Sequence, residues 1–269
     1  MALPRPGTSA TQAHRSHIGV LKPVGTSANG YRFWSCPMRP SFNAVKLRPV
    51  SALKQRIVPS GRRPVRIPFG IFRGLKFDID FKSQMQICLG LYEFETYPHI
   101  RRALNKCRWI IGVGAGFGEL CILFKKTSHQ TFAVEPDKLC LSIFRSNMAL
   151  NGIAEGEIII CAGYVGTSTN VDNVRIDEIQ VDRSQPGFIK IDIEGLEVDA
   201  LESATTLLRE CNTQLLIEVH SLRLEVDCLT FLEASGYTCK IVDNSRWRLI
   251  IPENRPLAHN RWIWAEKRQ

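Results

Sequence analysis

Residues 109–135 constrain this chain more than any other stretch. Trp109–Val113 is a short apolar run that ends in Gly114-Ala115-Gly116-Phe117-Gly118; Glu119–Lys125 follows with a helical pattern, and Thr131–Val134 closes on Glu135-Pro136-Asp137. A strand that feeds a glycine-rich turn and then a helix aims backbone N–H groups and a helix N-terminus at one ligand. The glycines allow the tight turn and the close approach because they lack Cβ. The dinucleotide fingerprint G-x-G-x-x-G is not met: counted from Gly112 its third glycine falls on Phe117, and counted from Gly114 it falls on Glu119. The spacing present is G-x-G-x-G. Glu135, 21 residues after Gly114, stands where an acid accepts hydrogen bonds from a ribose diol. Together the two features point to a nucleoside-containing cofactor and away from nicotinamide chemistry.

The same alternation continues along the chain. Pro136 is placed to open a helix whose apolar face combines Leu139, Cys140, Ile143, Phe144 and Met148, with Asn151-Gly152 as its stop. Further strands are predicted at Glu157–Cys161, Phe188–Ile191 and Gln214–Val219. One helix is built on Leu201, Ala204, Leu207 and Leu208, and another runs near Val226–Ala234. Tyr237–Val242 and Arg261–Ala265 form a terminal strand pair. Strands separated by helix-length segments imply an α/β fold, a mostly parallel sheet with helices on both faces. Ahead of it, Val65–Ile79 is predicted as a hairpin broken at Gly70 and Gly74, followed by a helix around Tyr97–Leu104.

Charge divides the chain. The first acidic residue is Asp78, so residues 1–77 hold 14 of the 35 Lys and Arg and no acid, while the remainder has 21 basic against 26 acidic residues. The net charge of +9 therefore describes a basic arm on an acidic globule. Residues 1–63 are assigned to that extension, 64–108 to a hairpin and helical lead-in, and 109–269 to the cofactor-binding domain. An acid-free, Arg- and Ser-containing arm is the composition of an organellar transit peptide, of a phosphate-contacting tail, or of an overlong start with Met38 as a later initiation. Nine cysteines with no pair closer than 11 residues give neither a zinc spacing nor a disulfide framework, and place the protein in a reducing compartment, the cytoplasm unless the arm directs it elsewhere. No uncharged apolar stretch approaches the roughly 18 residues that span a bilayer, so no membrane partner is expected.

Two further clusters carry chemistry. Lys190-Ile191-Asp192-Ile193-Glu194-Gly195-Leu196-Glu197 ends the predicted fourth strand, and three acids with a lysine are costly to bury unless paired, for instance Lys190 with Glu197. Glu218-Val219-His220 ends the fifth. Ligands of open α/β sheets bind beyond such strand ends. A histidine beside carboxylates is a general base near neutral pH. Asp192, Glu218 and His220 also carry ligands suited to a divalent cation; the site is read as holding no metal.

The ordered series resembles the FkbM family of S-adenosylmethionine (SAM)-dependent methyltransferases. The resemblance runs from about Arg66 to Lys267, through Gly90-Leu91-Tyr92-Glu93-Phe94-Glu95-Thr96, Val113–Gly118, Ala133-Val134-Glu135-Pro136, Asn147, Asn151, Phe188–Glu197 and Ile217–His220. It implies a class I methyltransferase fold, Rossmann-like, with a seven-stranded mostly parallel sheet whose last strand is antiparallel. By resemblance, Gly114, Gly116 and Gly118 lie against SAM with Ala115, Glu119 and Pro136 beside them; Glu135 holds the ribose, and Asp192 sits at the methionyl end or the substrate. The expected reaction is O-methylation of a small hydroxylated acceptor, a sugar or a natural-product-like molecule, with His220 as base and Asp192 or Glu218 orienting it. The acceptor pocket is expected from Arg66–Tyr97 and Tyr164–Pro186. A net-negative domain without an aromatic-basic pattern argues against nucleic acid; an RNA methyltransferase working through the arm is the alternative. One position departs from the family, Gly112 where an Asp is usual. Glu119 is the expected substitute, and a degenerate SAM-binding protein is the other consequence. Oligomeric state has no sequence signal.

Overall fold

The computed structural model describes residues 58, 60–127, 129–167, 173–245 and 260–268, besides a short antiparallel pairing of Gly25–Thr26 with Arg32–Phe33. The chain divides into Met1–Ser35 and Cys36–Gln269, and the second unit carries the main sheet. The basic arm assigned to residues 1–63 lies almost wholly outside the described residues.

The hairpin forms as predicted, β1 (Arg62–Arg66) antiparallel to β2 (Lys76–Asp80). Asp80 then caps a helix that the sequence did not announce, α1 (Phe81–Cys88), by accepting from the Lys82 N–H. Helix α2 (Tyr97–Lys106) leads into β3 (Trp109–Val113), buried along its whole length. There follow α3 (Glu119–Lys126), β4 (Gln130–Val134), α4 (Lys138–Leu150), β5 (Ile159–Cys161), β6 (Gly187–Ile191), α5 (Glu197–Ser203), α6 (Thr205–Glu210), β7 (Thr213–Val219), α7 (Leu222–Ala234), β8 (Tyr237–Val242) and β9 (Arg261–Lys267).

Seven strands make the central sheet in the order β8-β9-β7-β6-β3-β4-β5. β7, β6, β3, β4 and β5 run parallel, and β9 is antiparallel to both β7 and β8. The chain begins this sheet in its middle at β3, builds outward to β5, then returns to the other side of β3 with β6. The loops after β3 and β6 therefore diverge at a topological switch point, where a crevice opens beyond the strand ends.

Alternation along the strands assigns two cores. Ile110, Ala133, Phe188, Leu216, Trp262 and Trp264 face one side, packed with Phe77, Ile79, Ile87 and Ile100 of the lead-in and with Phe124, Phe144 and Met148. Ile111, Val113, Ile189, Ile217 and Ile263 face the other, against Leu201, Leu207, Leu208 and Leu232. Gly112 and Lys190 pair in register and continue the first face.

Several local expectations are corrected. Pro136 does not open α4; Asp137 caps it through the Leu139 and Cys140 N–H groups, and Pro136 precedes the cap. Leu139 is 63% exposed, because at the first turn it points away from the sheet that buries Cys140, Ile143, Phe144 and Met148. The helix expected across Leu201–Leu208 is two short helices that meet at Ala204. The third strand begins at Ile159 rather than Glu157, which is spent on the Ala154 N–H. The eight described cysteines are free thiols, and among the described residues no helix is long and apolar enough to cross a membrane.

Two asparagines fasten the hairpin to the domain. Asn147, fully buried, accepts from the Asp78 N–H at 2.7 Å and donates to the Phe117 carbonyl at 2.9 Å. Asn151 accepts from the Lys76 N–H and donates to the Lys76 carbonyl. Asn147→Ala leaves a buried N–H and a carbonyl without partners, so the urea midpoint should fall, by about 1–3 kcal/mol of stability. An unchanged midpoint would mean that water replaces both bonds.

Candidate active site

The switch point is tightly built. Gly114 has φ +72°, and a Cβ there would lie 2.0 Å from the Asp192 carbonyl oxygen, so the two diverging loops touch through a residue that must be glycine. Gly118 serves packing in the same way: its Cβ would fall 2.0 Å from the Phe144 ring. The Gly114 and Ala115 N–H groups both donate to the Val134 carbonyl. The Glu135 carboxylate, buried at the end of β4, accepts from the Gly116 N–H at 2.8 Å and from the Asp137 N–H at 2.9 Å.

A cleft with about 670 Å³ of empty volume opens here. The loop residues Gly114, Ala115 and Gly116 line it on one side, Glu119, Lys190 and Asp192 line it as well, and the lead-in closes it with Phe72, Tyr92, Glu93 and Tyr97. Of the two segments expected to form a pocket, Arg66–Tyr97 contributes to this cleft. Val165, Ile176 and Ile179 of Tyr164–Pro186 belong instead to the core on the opposite face.

One ammonium organises the wall. Lys190, its side chain 9% exposed, has its Nζ 3.5 Å from Glu93, 3.5 Å from Asp192 and 3.6 Å from Glu218. These are long ion pairs, and among the described residues Nζ has no closer hydrogen-bond partner. Burial alone would lower its pKa, but the three carboxylates outweigh burial and hold it raised. The pairing of Lys190 with Glu197 is not formed. Glu197, fully buried, accepts instead from His220, Nδ1 to Oε1 at 2.9 Å. That bond turns His220 Nε2 toward Glu218 Oε1, 3.7 Å away.

The cleft has more carboxylates than cations. Burial pushes Glu119 up to about 7. Burial, reinforced by Asp192 and Glu93, raises Glu218, and burial also raises Glu93 against the pull of Lys190. His220 is raised too: burial would lower it, yet its hydrogen bond to Glu197 and the charges of Glu218 and Asp192 prevail.

Among the residues singled out from sequence, Gly114, Ala115, Gly116, Glu119 and Asp192 come together around the cleft. Glu218 and His220 are not among the residues that line the cleft, and with Asp192 they offer ligand atoms that all lie within 4.8 Å of one another. A divalent cation there would compete with the Lys190 ammonium for the same two carboxylates. Gly118, Glu135 and Pro136 shape the loop and the start of α4 from outside the cleft lining. Gly112 lines it without a side chain, and a Cβ there would come 2.8 Å from Cys121 Sγ. Sequence reasoning passed over Glu93 as a site residue. The available signal was Lys190, a charge inside an apolar strand that requires a distant acid.

Glu119 adds a pH dependence. Its folded carboxyl titrates near 7 against an ordinary value of 4.5, so the stability it contributes is complete below about 4.5 and lost as pH rises through about 7. Thermal unfolding across that range should show a falling midpoint, with a shallower fall in Glu119→Gln. Equal slopes would mean that Glu119 is ionised in the folded cleft.

Comparison with known proteins follows the same line. The family model described as the methyltransferase FkbM domain matches residues 92–254. No curated protein matches the sequence. Similar solved structures include a methyltransferase FkbM from Methylobacillus flagellatus KT, 21% identical with a TM-score of 0.47, covering 59% of this chain and 43% of that one. A SAM-dependent O-methyltransferase from Thermotoga maritima is 16% identical with a TM-score of 0.44, covering 66% of each chain. M. jannaschii TYW2 in complex with AdoMet is 12% identical with a TM-score of 0.47, covering 78% of this chain and 88% of that one.

Proposed function

The chain belongs to the FkbM family of methyltransferases, and from that premise we propose that it binds SAM over the Gly114–Gly118 loop and methylates a hydroxyl oxygen of a small sugar-like or natural-product-like molecule. The observation that carries this reading is the cleft at the switch point. It joins glycine-loop backbone to an excess of carboxylates around the buried Lys190 ammonium. SAM is a complementary ligand, with an ammonium, a sulfonium and a carboxylate. A Cβ at Gly116 would meet nothing within 4 Å, so the loop leaves room on that side for a close ligand.

When bound, SAM supplies an electrophilic methyl group on its sulfonium. The protein's own part is placement and proton removal. Glu135 braces the loop with one backbone N–H on each oxygen, and each oxygen keeps a lone pair for a ribose hydroxyl. His220 is held by Glu197 through Nδ1, which leaves Nε2 as the acceptor for the proton of the substrate hydroxyl. Asp192 and Glu218 stabilise the imidazolium that results. Phe72, Tyr92 and Tyr97 exclude water on the lead-in side.

S-adenosylhomocysteine titrated by calorimetry into the full chain should bind. Glu135→Ala should weaken it about tenfold to a hundredfold, the worth of one hydrogen bond to a charged group. No binding to folded protein would remove the cofactor from the reading. Gly112 favours a second reading, a SAM-binding protein that transfers nothing; binding without methyl transfer to any hydroxylated acceptor would select it.

The role of His220 has a pH signature. The neutral ring is the base, and its pKa is raised, so kcat should increase with pH through a limb above the ordinary imidazole value. Glu197→Gln removes a charge that favours the imidazolium and should move that limb to lower pH. A limb that stays in place would assign the proton to another group.

A further inference from the structure

Gly112 and Lys190 are register partners on β3 and β6, and paired residues of parallel strands project to the same face. A side chain at position 112 would therefore lie beside the Lys190 ammonium. The carboxylate that reaches this ammonium from across the cleft belongs to Glu93, with Oε2 3.5 Å from Nζ. Glu93 has φ 45° and ψ 38°, the one non-glycine residue at positive φ among the described residues. Such a backbone persists only where its surroundings enforce it. No helix-capping bond of its side chain accounts for it. Its side chain, 12% exposed, is turned into the cleft that Gly112, Gly114 and Asp192 also line.

Resting on the SAM reading, we propose that Glu93 supplies the carboxylate for the α-ammonium of the cofactor's amino-acid end, in place of an acid at position 112. The Lys190 ammonium beside it takes the α-carboxylate, so one ion pair of the protein meets the zwitterionic head of the ligand. Glu119 accepts from the Gln84 amide at 3.3 Å, and Asp192, also 3.5 Å from Nζ, is grouped in addition with Glu218 and His220. Cys121 occupies the space that an aspartate side chain at position 112 would enter, so the chain is built around the glycine.

Two ligands separate the amino-acid end from the nucleoside: S-adenosylhomocysteine, which keeps the ammonium, and 5′-methylthioadenosine, which lacks the amino acid altogether. Calorimetry on the full chain should show that Glu93→Gln weakens S-adenosylhomocysteine about tenfold or more, while 5′-methylthioadenosine stays within about twofold. Glu93→Gly, which suits a left-handed backbone, should still unfold cooperatively, at a lower midpoint for want of the ion pair with Lys190, and show the same selective loss. Unchanged S-adenosylhomocysteine affinity in both variants overturns the assignment. An equal loss of both ligands also overturns it, since Glu93 would then be holding the cleft open and not the ammonium. If the wild type binds neither ligand, the cofactor reading fails and Glu93 falls with it; if the wild type binds both, only the assignment of Glu93 is at stake.

Discussion

The buried ammonium of Lys190 is the interaction on which the site depends. Taking a lysine out of water costs several kcal/mol unless opposite charge meets it, and its strand is buried along its whole length. Three acids answer from three places: Glu93 from the lead-in, Asp192 from the loop after β6, and Glu218 from the end of β7. One cation thus fixes the lead-in to the sheet at the mouth of the switch point. Burial and the mutual repulsion of these carboxylates raise the pKa of Glu93 and of Glu218. The histidine stands at the edge of this arrangement with a carboxylate of its own, Glu197.

The sheet was legible in the sequence because its central strands are buried on both faces and appear as nearly continuous apolar runs between glycine and proline punctuation. Trp109–Val113 is found at the bounds read from its pattern, and the antiparallel last strand follows the family resemblance. Helix α1 was hidden because Phe81–Cys88 is only eight residues long, with Lys, Ser and Gln interleaved among its apolar residues, and its start is set by the Asp80 cap. The break at Ala204 was hidden for a different reason: both halves bury residues on the same core, so the apolar pattern runs through the discontinuity.

The site was legible only in its local parts. The glycine loop, Asp192, Glu218 and His220 are visible as strand-end chemistry. Their pairing is not, because it is set by packing between segments far apart in the chain. Lys190 meets Glu93, 97 residues earlier, while the nearer Glu197 turns to the histidine. Asn147 and Asn151 likewise look like ordinary residues at the end of a helix, and only the hairpin that packs on them explains why amides are needed there. The missing side chain at Gly112 is a deficiency in one dimension. In three, the Cys121 sulfur stands where that side chain would begin.

The placement of β9 bears on how the molecule comes to be assembled on the ribosome. β9 lies between β7 and β8, hydrogen-bonded to both, although it is made after them. Until residues 261–267 leave the exit tunnel, β7 presents a seven-residue edge with a row of unpaired backbone groups, flanked by an apolar face that Trp262 and Trp264 have yet to cover. Synthesis from the N-terminus therefore produces an intermediate in which β7 is the open rim of the sheet and β8 has no strand to pair with. That open edge is a template on which two unfinished chains can join by mistake.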